Sequence, residues 1–368
     1  MSDTGALAYR VFSSSIARLI SNGARRIMIT SSGPGEGKST IVAKLGENLA
    51  RSDRLRIAIV DADAFRPTLH KFFQLDHRRG LGDLLGQISK ADLNGDSSKQ
   101  FGIGDWIELI RAQSRTGRLQ VSEGSEEFSI IFNKGRVSSV PDRQGQRDFA
   151  LRAQREGSRP LGGGPSGLGP IEAELDSALQ VELDKRLRRM LALAKPQYRF
   201  LPAPEAPAPE AGNRPTTASG ATGIDRFILG MVGDELNQPY LSRQIPGYLK
   251  NTSMANLKVL TCGDLTTDSF YFAEPFVTVI DRLAKCFDAV LIDAPPVAFD
   301  TSTSLLAPAI DGVLLVVKAD GFDVGVIQRA KDQLLRSGAN LLGVALNQVD
   351  LPREAAFPYY QGSSREPA

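Results

Sequence analysis

The stretch SSGPGEGKST, Ser31 to Thr40, constrains this chain more than any other. It follows the short apolar run RIMIT (26–30) and leads into STIVAKLGENLARS, where Ile41, Leu45 and Leu49 recur at helical spacing. A strand that enters a helix through such a turn presents backbone N–H groups and a positive dipole end to an anion. Gly33, Gly35 and Gly37 let the main chain approach phosphate oxygens that a Cβ would block. Lys38 can reach the β- and γ-phosphates, and the Ser39 hydroxyl suits Mg²⁺. Glu36 and Thr40 complete the loop as candidate nucleotide-binding positions. The general pattern asks for a glycine five residues before Gly37, and Ser32 stands there instead. The strand–loop–helix context still reads as a nucleotide site.

The next run, LRIAIVDAD, is apolar on both faces. The same pattern resumes late in the chain with LKVLTCGD (257–264), DAVLIDAPPV (288–297), GVLLVVKAD (312–320) and LLGVALNQVD (341–350). Continuous apolar strands alternating with amphipathic helices predict a mostly parallel sheet covered on both faces, an α/β doubly wound fold. Parallel strands bring their C-terminal ends to one edge, where the glycine loop also sits. Asp61 and Asp63 close IAIVDAD, and Asp293 closes AVLID. Carboxylates there suit Mg²⁺–nucleotide chemistry: one group holds the metal or its waters, another accepts a proton. Helix capping is the plainer alternative. Asn347 ends the last strand, where its amide reads an adenine edge or serves as a turn residue.

The middle of the chain differs. GIGDWIELIRAQ opens as a helix around Trp106, Leu109 and Ile110, and GRLQVSE and FSIIFNKGRVSSV then alternate as a hairpin or small meander. LGGGPSGLGP (161–170) is a glycine-rich break, and 171–194 is a long amphipathic helix. LPAPEAPAPEAGNRPTTASGATG is a Pro/Ala/Gly linker. The expected organisation is an α/β domain in two parts, 1–99 and 222–352. A small α+β domain is inserted at 100–200, with a linker at 201–221 and a tyrosine-containing tail at 353–368.

Composition narrows the function. With 44 basic and 42 acidic side chains the formal charge is +2, which argues against a nucleic-acid partner. Two cysteines and two histidines cannot make a disulfide framework or a Cys/His zinc site. No apolar run reaches the ~18–20 residues of a membrane span. The expected location is the cytoplasm, with peripheral membrane association through a partner left open.

ITSSGPGEGKSTIVAKLGENLA, IAIVDADAFRPTLHKFF, GLGDLLG, NLKVLTCGD, FDAVLIDAPPV and DGVLLVVKAD…GVALNQVD together resemble the bacterial tyrosine kinases (BY-kinases) of capsule and exopolysaccharide assembly. Those share a P-loop class with the Min and Par ATPases. The resemblance implies an ATP-dependent tyrosine autokinase. Lys38 and Ser39 bind ATP·Mg²⁺, Asp61 is the base or metal-positioning residue, and Asp63 and Asp293 hold Mg²⁺ or its waters. It implies acceptor tyrosines in the tail, here Tyr359 and Tyr360, phosphorylated between neighbouring subunits of a homo-oligomer. It also implies a membrane chain-length regulator of polysaccharide export as a separate partner chain. DWIELIRAQSRTGRLQV…IIFNKGRVSSV, with QYRFLPAP after it, is similar to PATAN-type interaction domains, which implies docking of a signalling protein.

The family's ExxRxxR oligomerisation motif falls on Leu7, Arg10 and Ser13, so only the middle arginine is kept. Phe65 stands where the family carries a basic residue. The tail has two adjacent tyrosines, which are either accessible acceptors or an aromatic latch. A nucleotide-switched P-loop ATPase scaffold, its insert docking a partner, is the alternative function.

Overall fold

The computed structural model describes residues 3–52, 55–93, 101–140, 177–203, 240–264, 273–319, 321 and 323–349. In chain order the first elements are α1 (Asp3–Ser21), β1 (Arg26–Ser31), α2 (Lys38–Ser52), β2 (Ile57–Asp61), α3 (Leu69–Phe72) and α4 (Leu81–Lys90). Next come α5 (Ile103–Ala112), β3 (Gly117–Glu123), β4 (Glu126–Asn133), β5 (Arg136–Ser139), α6 (Ser177–Leu191), β6 (Gln197–Pro202) and α7 (Tyr240–Gln244). The chain continues with β7 (Leu249–Asn251), β8 (Leu257–Leu260), α8 (Ala273–Cys286), β9 (Ala289–Asp293), α9 (Thr301–Leu306), β10 (Gly312–Lys318), α10 (Val324–Arg336) and β11 (Leu341–Asn347).

The chain divides into two units: Met1–Gly86 with Ile245–Ala273 and Val279–Ala368, and Gln87–Gln244 with Glu274–Thr278. The expected boundaries at 99/100 and 221/222 fall in or beside segments outside the described residues. So do the glycine-rich break, most of the linker, and the tail with Tyr359 and Tyr360.

The first unit is built on a seven-stranded sheet of order β11-β10-β1-β9-β2-β8-β7. Every pairing is parallel except β7 with β8. Ile27, Ile29, Ile57, Ile59, Val259 and Leu291 pack on one face with Leu45 and Leu49 of α2. The alternate residues Met28, Ala58, Val60, Val290 and Ile292 are buried as well. Both faces are therefore covered, which is why the strands read as unbroken apolar runs. Helix α1 adds Ile16 and Ile20 to the same core. Its Ser13, at the third place of the oligomerisation pattern, is 3% exposed and donates to the Tyr9 carbonyl at 2.7 Å.

The strand order positions the site. β9 lies between β1 and β2, and pairing sets Asp293 opposite both Ile29 and Asp61. Two carboxylates distant in sequence thus stand side by side at the edge where β1 runs into the glycine loop.

In the second unit, β5-β4-β3-β6 form an antiparallel sheet. Trp106, Ile110, Leu119, Phe132, Leu187 and Phe200 are buried from its helices and strands. β4 turns into β5 through Lys134 (φ 46°) and Gly135 (φ 76°), the left-handed pair of a two-residue hairpin. β6 carries the chain through Pro202, pairing with Gly117 of β3, so the first residues expected in the linker are strand. Helix α7 is tied to α5: Glu108 accepts from the Leu241 N–H at 2.9 Å, and Asp105 pairs with Arg243 at 2.8 Å.

Candidate functional site

The glycine loop is held from inside by residues that do not point at its anion. Glu36 is 1% exposed. Its carboxylate accepts from Ser32 Oγ at 2.8 Å, from the Gly33 N–H at 2.7 Å and from the Lys318 N–H at 3.1 Å. Ser32, the departure from the general pattern, is thus the partner of Glu36. Asn347 donates through Nδ2 to the Glu36 carbonyl at 2.9 Å. The ends of β10 and β11 therefore clamp the loop. Gly35 (φ 80°) and Gly37 (φ 86°) take left-handed backbone, and a Cβ on Gly37 would stand 2.2 Å from Asn347 Nδ2. Only glycine fits that turn without strain.

Beyond the loop lies a buried charge cluster. Asp61 and Asp293 are 0% exposed, Asp63 2% and Lys38 8%. Lys38 Nζ contacts Asp63 Oδ2 at 2.5 Å and stands 3.4 Å from Asp293 Oδ1. Burial would depress the lysine, but Asp293 and Asp63 outweigh it and hold the ammonium above an ordinary lysine. Asp63 Oδ1 accepts from the Phe65 and Arg66 N–H groups at 3.1 and 3.0 Å. Asp61 Oδ2 accepts from Thr68 and Leu69 N–H at 3.2 and 3.1 Å, which pins the start of α3. Burial, with Asp293's charge beside it, pushes Asp61 up to about 8. Burial pushes Asp293 upward too, against the pull of Lys38.

Asp293 is the exception among the three, because neither of its oxygens has a hydrogen-bond partner. A buried carboxylate that has only a long, shared ion pair to Lys38 and no hydrogen bond is costly. Three carboxylates around one ammonium also leave the ionised cluster net negative. A divalent cation at this edge meets both needs. Among the described residues, no three His, Cys, Asp or Glu side chains gather closely enough to hold a metal ion alone.

Lys38, Ser39, Thr40, Gly35, Gly37 and Asp63 line a cavity of about 700 Å³. Asp61 and Asp293, fully buried, are not among the lining residues. The remaining walls include Phe65, Phe72, Phe299, Pro295 and Pro296. The glycine pattern and the acidic strand ends are legible in sequence. The Ser32–Glu36 brace is not, although the serine in a glycine's place was its one visible mark. The phenyl rings at the cavity mouth had a single mark as well, Phe65 in a basic residue's place.

No family model matches the chain. It is 30% identical over 105 residues to the tyrosine-protein kinase CpsD of Streptococcus pneumoniae serotype 4, across 28% of this chain and 46% of that one. It is 51% identical over 69 residues to the tyrosine-protein kinase ptk of Acinetobacter johnsonii, across 18% of this chain and 9% of that one. The kinase domain of VpsO aligns with a TM-score of 0.46 at 14% identity, covering 94% of this chain and 96% of that one. The chain spans about half or less of the length of the curated relatives it matches. Over these stretches its sequence is similar to bacterial tyrosine-protein kinases. No helix among the described residues is long and apolar enough to cross a membrane.

Proposed function

We propose that this chain is an ATP-dependent protein tyrosine autokinase that regulates polymerisation or export of a capsular or extracellular polysaccharide. The observation that carries the reading is the buried Asp61–Asp63–Asp293 cluster around Lys38 at a glycine loop, in which Asp293 has the Lys38 ammonium 3.4 Å away and no well-formed hydrogen bond. The related kinases give it its direction. The N–H groups of Gly35 to Thr40 would cradle the ATP phosphates, and Lys38 would exchange Asp63 for the β- and γ-phosphates. Ser39, Asp63 and Asp293, with Asp61 beside them, would hold Mg²⁺, which neutralises charge on those phosphates. Asn347 lies against the loop, where its remaining amide oxygen can face the adenine. Asp61 would act as base only in its ionised form, which a bound divalent cation would favour; it would then take the phenol proton as tyrosine Oη attacks the γ-phosphorus. The acceptors are Tyr359 and Tyr360.

The finer partners belong to the same proposal. They are a separate membrane chain-length regulator, a signalling protein docked by the second unit, and further copies of this chain. The chain then works in the cytoplasm, at the inner face of the membrane through that regulator.

The nucleotide-switched scaffold is favoured by one observation: Leu7 and Ser13 stand at the outer places of the oligomerisation pattern, which leaves it with Arg10 alone. One experiment separates the two. The chain is incubated with γ-labelled ATP and Mg²⁺, and protein label and free phosphate are followed together. Label on the tail that vanishes in both Lys38→Ala and Tyr359→Phe/Tyr360→Phe supports the kinase. Free phosphate without label, lost only with Lys38→Ala, supports the scaffold and rejects the kinase.

A further inference from the structure

We propose that Thr30 and Thr303 are positioning residues for Asp293: their two hydroxyls hold the Pro295 carbonyl and so fix the backbone from which the Asp293 carboxylate meets a divalent cation. This rests on the reading of Asp293 as a Mg²⁺-holding residue and adds what keeps an unbonded carboxylate in place.

The three strand-end carboxylates are held in different ways. Asp61 accepts from the N–H groups of Asp63, Thr68 and Leu69 at 3.3, 3.2 and 3.1 Å. Asp63 accepts from those of Phe65 and Arg66. Asp293 has the Lys38 ammonium 3.4 Å away and no hydrogen bond. Its position therefore depends on its backbone. Pairing of β9 with β1 and β2 fixes that backbone on one side. On the other side the chain runs into Pro295 and Pro296, which have no N–H to donate. Ala294 and Val297, flanking them, donate to the Ile29 and Ser31 carbonyls at 2.9 and 3.0 Å. Between those two bonds only carbonyls can anchor the turn. The Pro295 carbonyl accepts from Thr30 Oγ1 at 2.7 Å and from Thr303 Oγ1 at 3.0 Å, which fills both its lone pairs. The Pro296 carbonyl accepts from the Phe299 and Asp300 N–H groups at 3.0 and 3.2 Å.

Packing alone does not account for the two hydroxyls. Thr30 is 0% exposed and Thr303 1%. Valine has nearly the same shape, and a buried hydroxyl is costly unless it is paired. Both hydroxyls are paired to one atom, the carbonyl oxygen two residues beyond Asp293. Their own supports lie in different elements. Thr30 precedes Ser31, the last residue of β1, whose Oγ donates to the Gly33 carbonyl at 2.8 Å at the entrance to the glycine loop. Thr303 lies in α9, whose start is capped by Asp300 accepting from the Ser302 N–H at 2.8 Å. Gln333 of α10 donates to Ser304 Oγ at 3.0 Å and ties α9 to that helix. Pro295 itself lines the phosphate cavity. The shared carbonyl thus sets the spacing between the phosphate loop and Asp293. A small cation with strict coordination geometry, shared between phosphates and that carboxylate, is sensitive to such a spacing.

The probe is ADP, titrated calorimetrically into the full chain. The quantity read is the ratio of its affinity with Mg²⁺ to its affinity in EDTA. A general disturbance of the glycine loop lowers both affinities and leaves that ratio alone. Thr30→Val/Thr303→Val should lower the ratio about tenfold, the scale of losing the support behind a metal-holding group, and Thr30→Ser/Thr303→Ser should restore it. Where the double valine chain does not fold, Thr303→Val alone decides. Its ratio should fall about threefold, the scale of one hydrogen bond, and return with Thr303→Ser. A wild-type ratio in a folded valine chain overturns this inference. An equal fall in the serine chain overturns it too, because the effect then belongs to the lost methyl groups. Asp293→Asn runs alongside. If it keeps the wild-type ratio, the reading of Asp293 fails and this inference with it. If it lowers the ratio while the valine chains do not, this inference alone fails.

Discussion

Asp293 in the large parallel sheet and Asp105 in the smaller unit are both nearly inaccessible to water, yet their surroundings differ. Asp105 Oδ2 receives the Gly102 N–H at 3.0 Å and Arg243 at 2.8 Å, and only its Oδ1 lacks a hydrogen bond, whereas both oxygens of Asp293 lack one. It caps a helix and anchors a neighbour. Asp293 receives no hydrogen bond, shares its lysine with Asp63 and faces Asp61 across a strand pairing. The first carboxylate stabilises its fold. The second is a cost that folding alone does not offset, and such costs concentrate where a ligand completes the site.

The largest expected effect breaks the charged cluster. Lys38→Met should lower nucleotide turnover by about a hundred- to thousand-fold, the scale of losing one donor to developing charge. Steady-state phosphate release checks it, and retained turnover would remove Lys38 from the chemistry.

Next comes the comparison itself. Asp105→Asn should cost about 1.5–3 kcal/mol through its lost charged hydrogen bonds while leaving turnover in place. Asp293→Asn should raise the melting temperature of the nucleotide-free chain and abolish turnover. Thermal melts and turnover on both variants decide it. Equal destabilisation would mean that Asp293 is structural.

A pH series sharpens the contrast. In the folded chain Asp61 keeps its proton from its ordinary value of 3.8 up to about 8, whereas the unfolded chain releases it. Folding then takes up a proton across that window, so stability falls as pH rises through it. Urea midpoints of the nucleotide-free chain should decline from acid to mildly alkaline pH. Asp61→Asn should flatten that decline, and so should saturating Mg²⁺–nucleotide.

The smallest effect belongs to the brace. Ser32→Gly restores the general loop pattern but deletes a buried partner of Glu36, and should cost about 1 kcal/mol. Turnover should stay within a few-fold. A large loss would show that the brace sets loop geometry.

Much of this was legible in the sequence because it depends on local periodicity. RIMIT and AVLID read as buried strands because both faces of their sheet are covered. The alternation of GRLQVSE and FSIIFNKG marked the smaller sheet, whose outward residues stay polar. The glycines at 35 and 37 announced a phosphate turn through backbone freedom alone. Other features carried no local mark. Tyr240–Gln244 belongs with the second unit because Glu108 and Asp105 capture it, although these partners lie more than a hundred residues earlier. Asn347 binds the loop's backbone across a comparable gap.

The amino-acid order by itself determined which segments are strand or helix, and which loop can cradle phosphate. Those properties arise from residue spacing and backbone sterics within a few residues. Only the tertiary structure decided that β9 lies between β1 and β2, which sets Asp293 beside Asp61 and leaves Lys38 between two aspartates. Strand order is chosen by the whole sheet's burial. The charges at its edge are perturbed only after that choice has removed them from water.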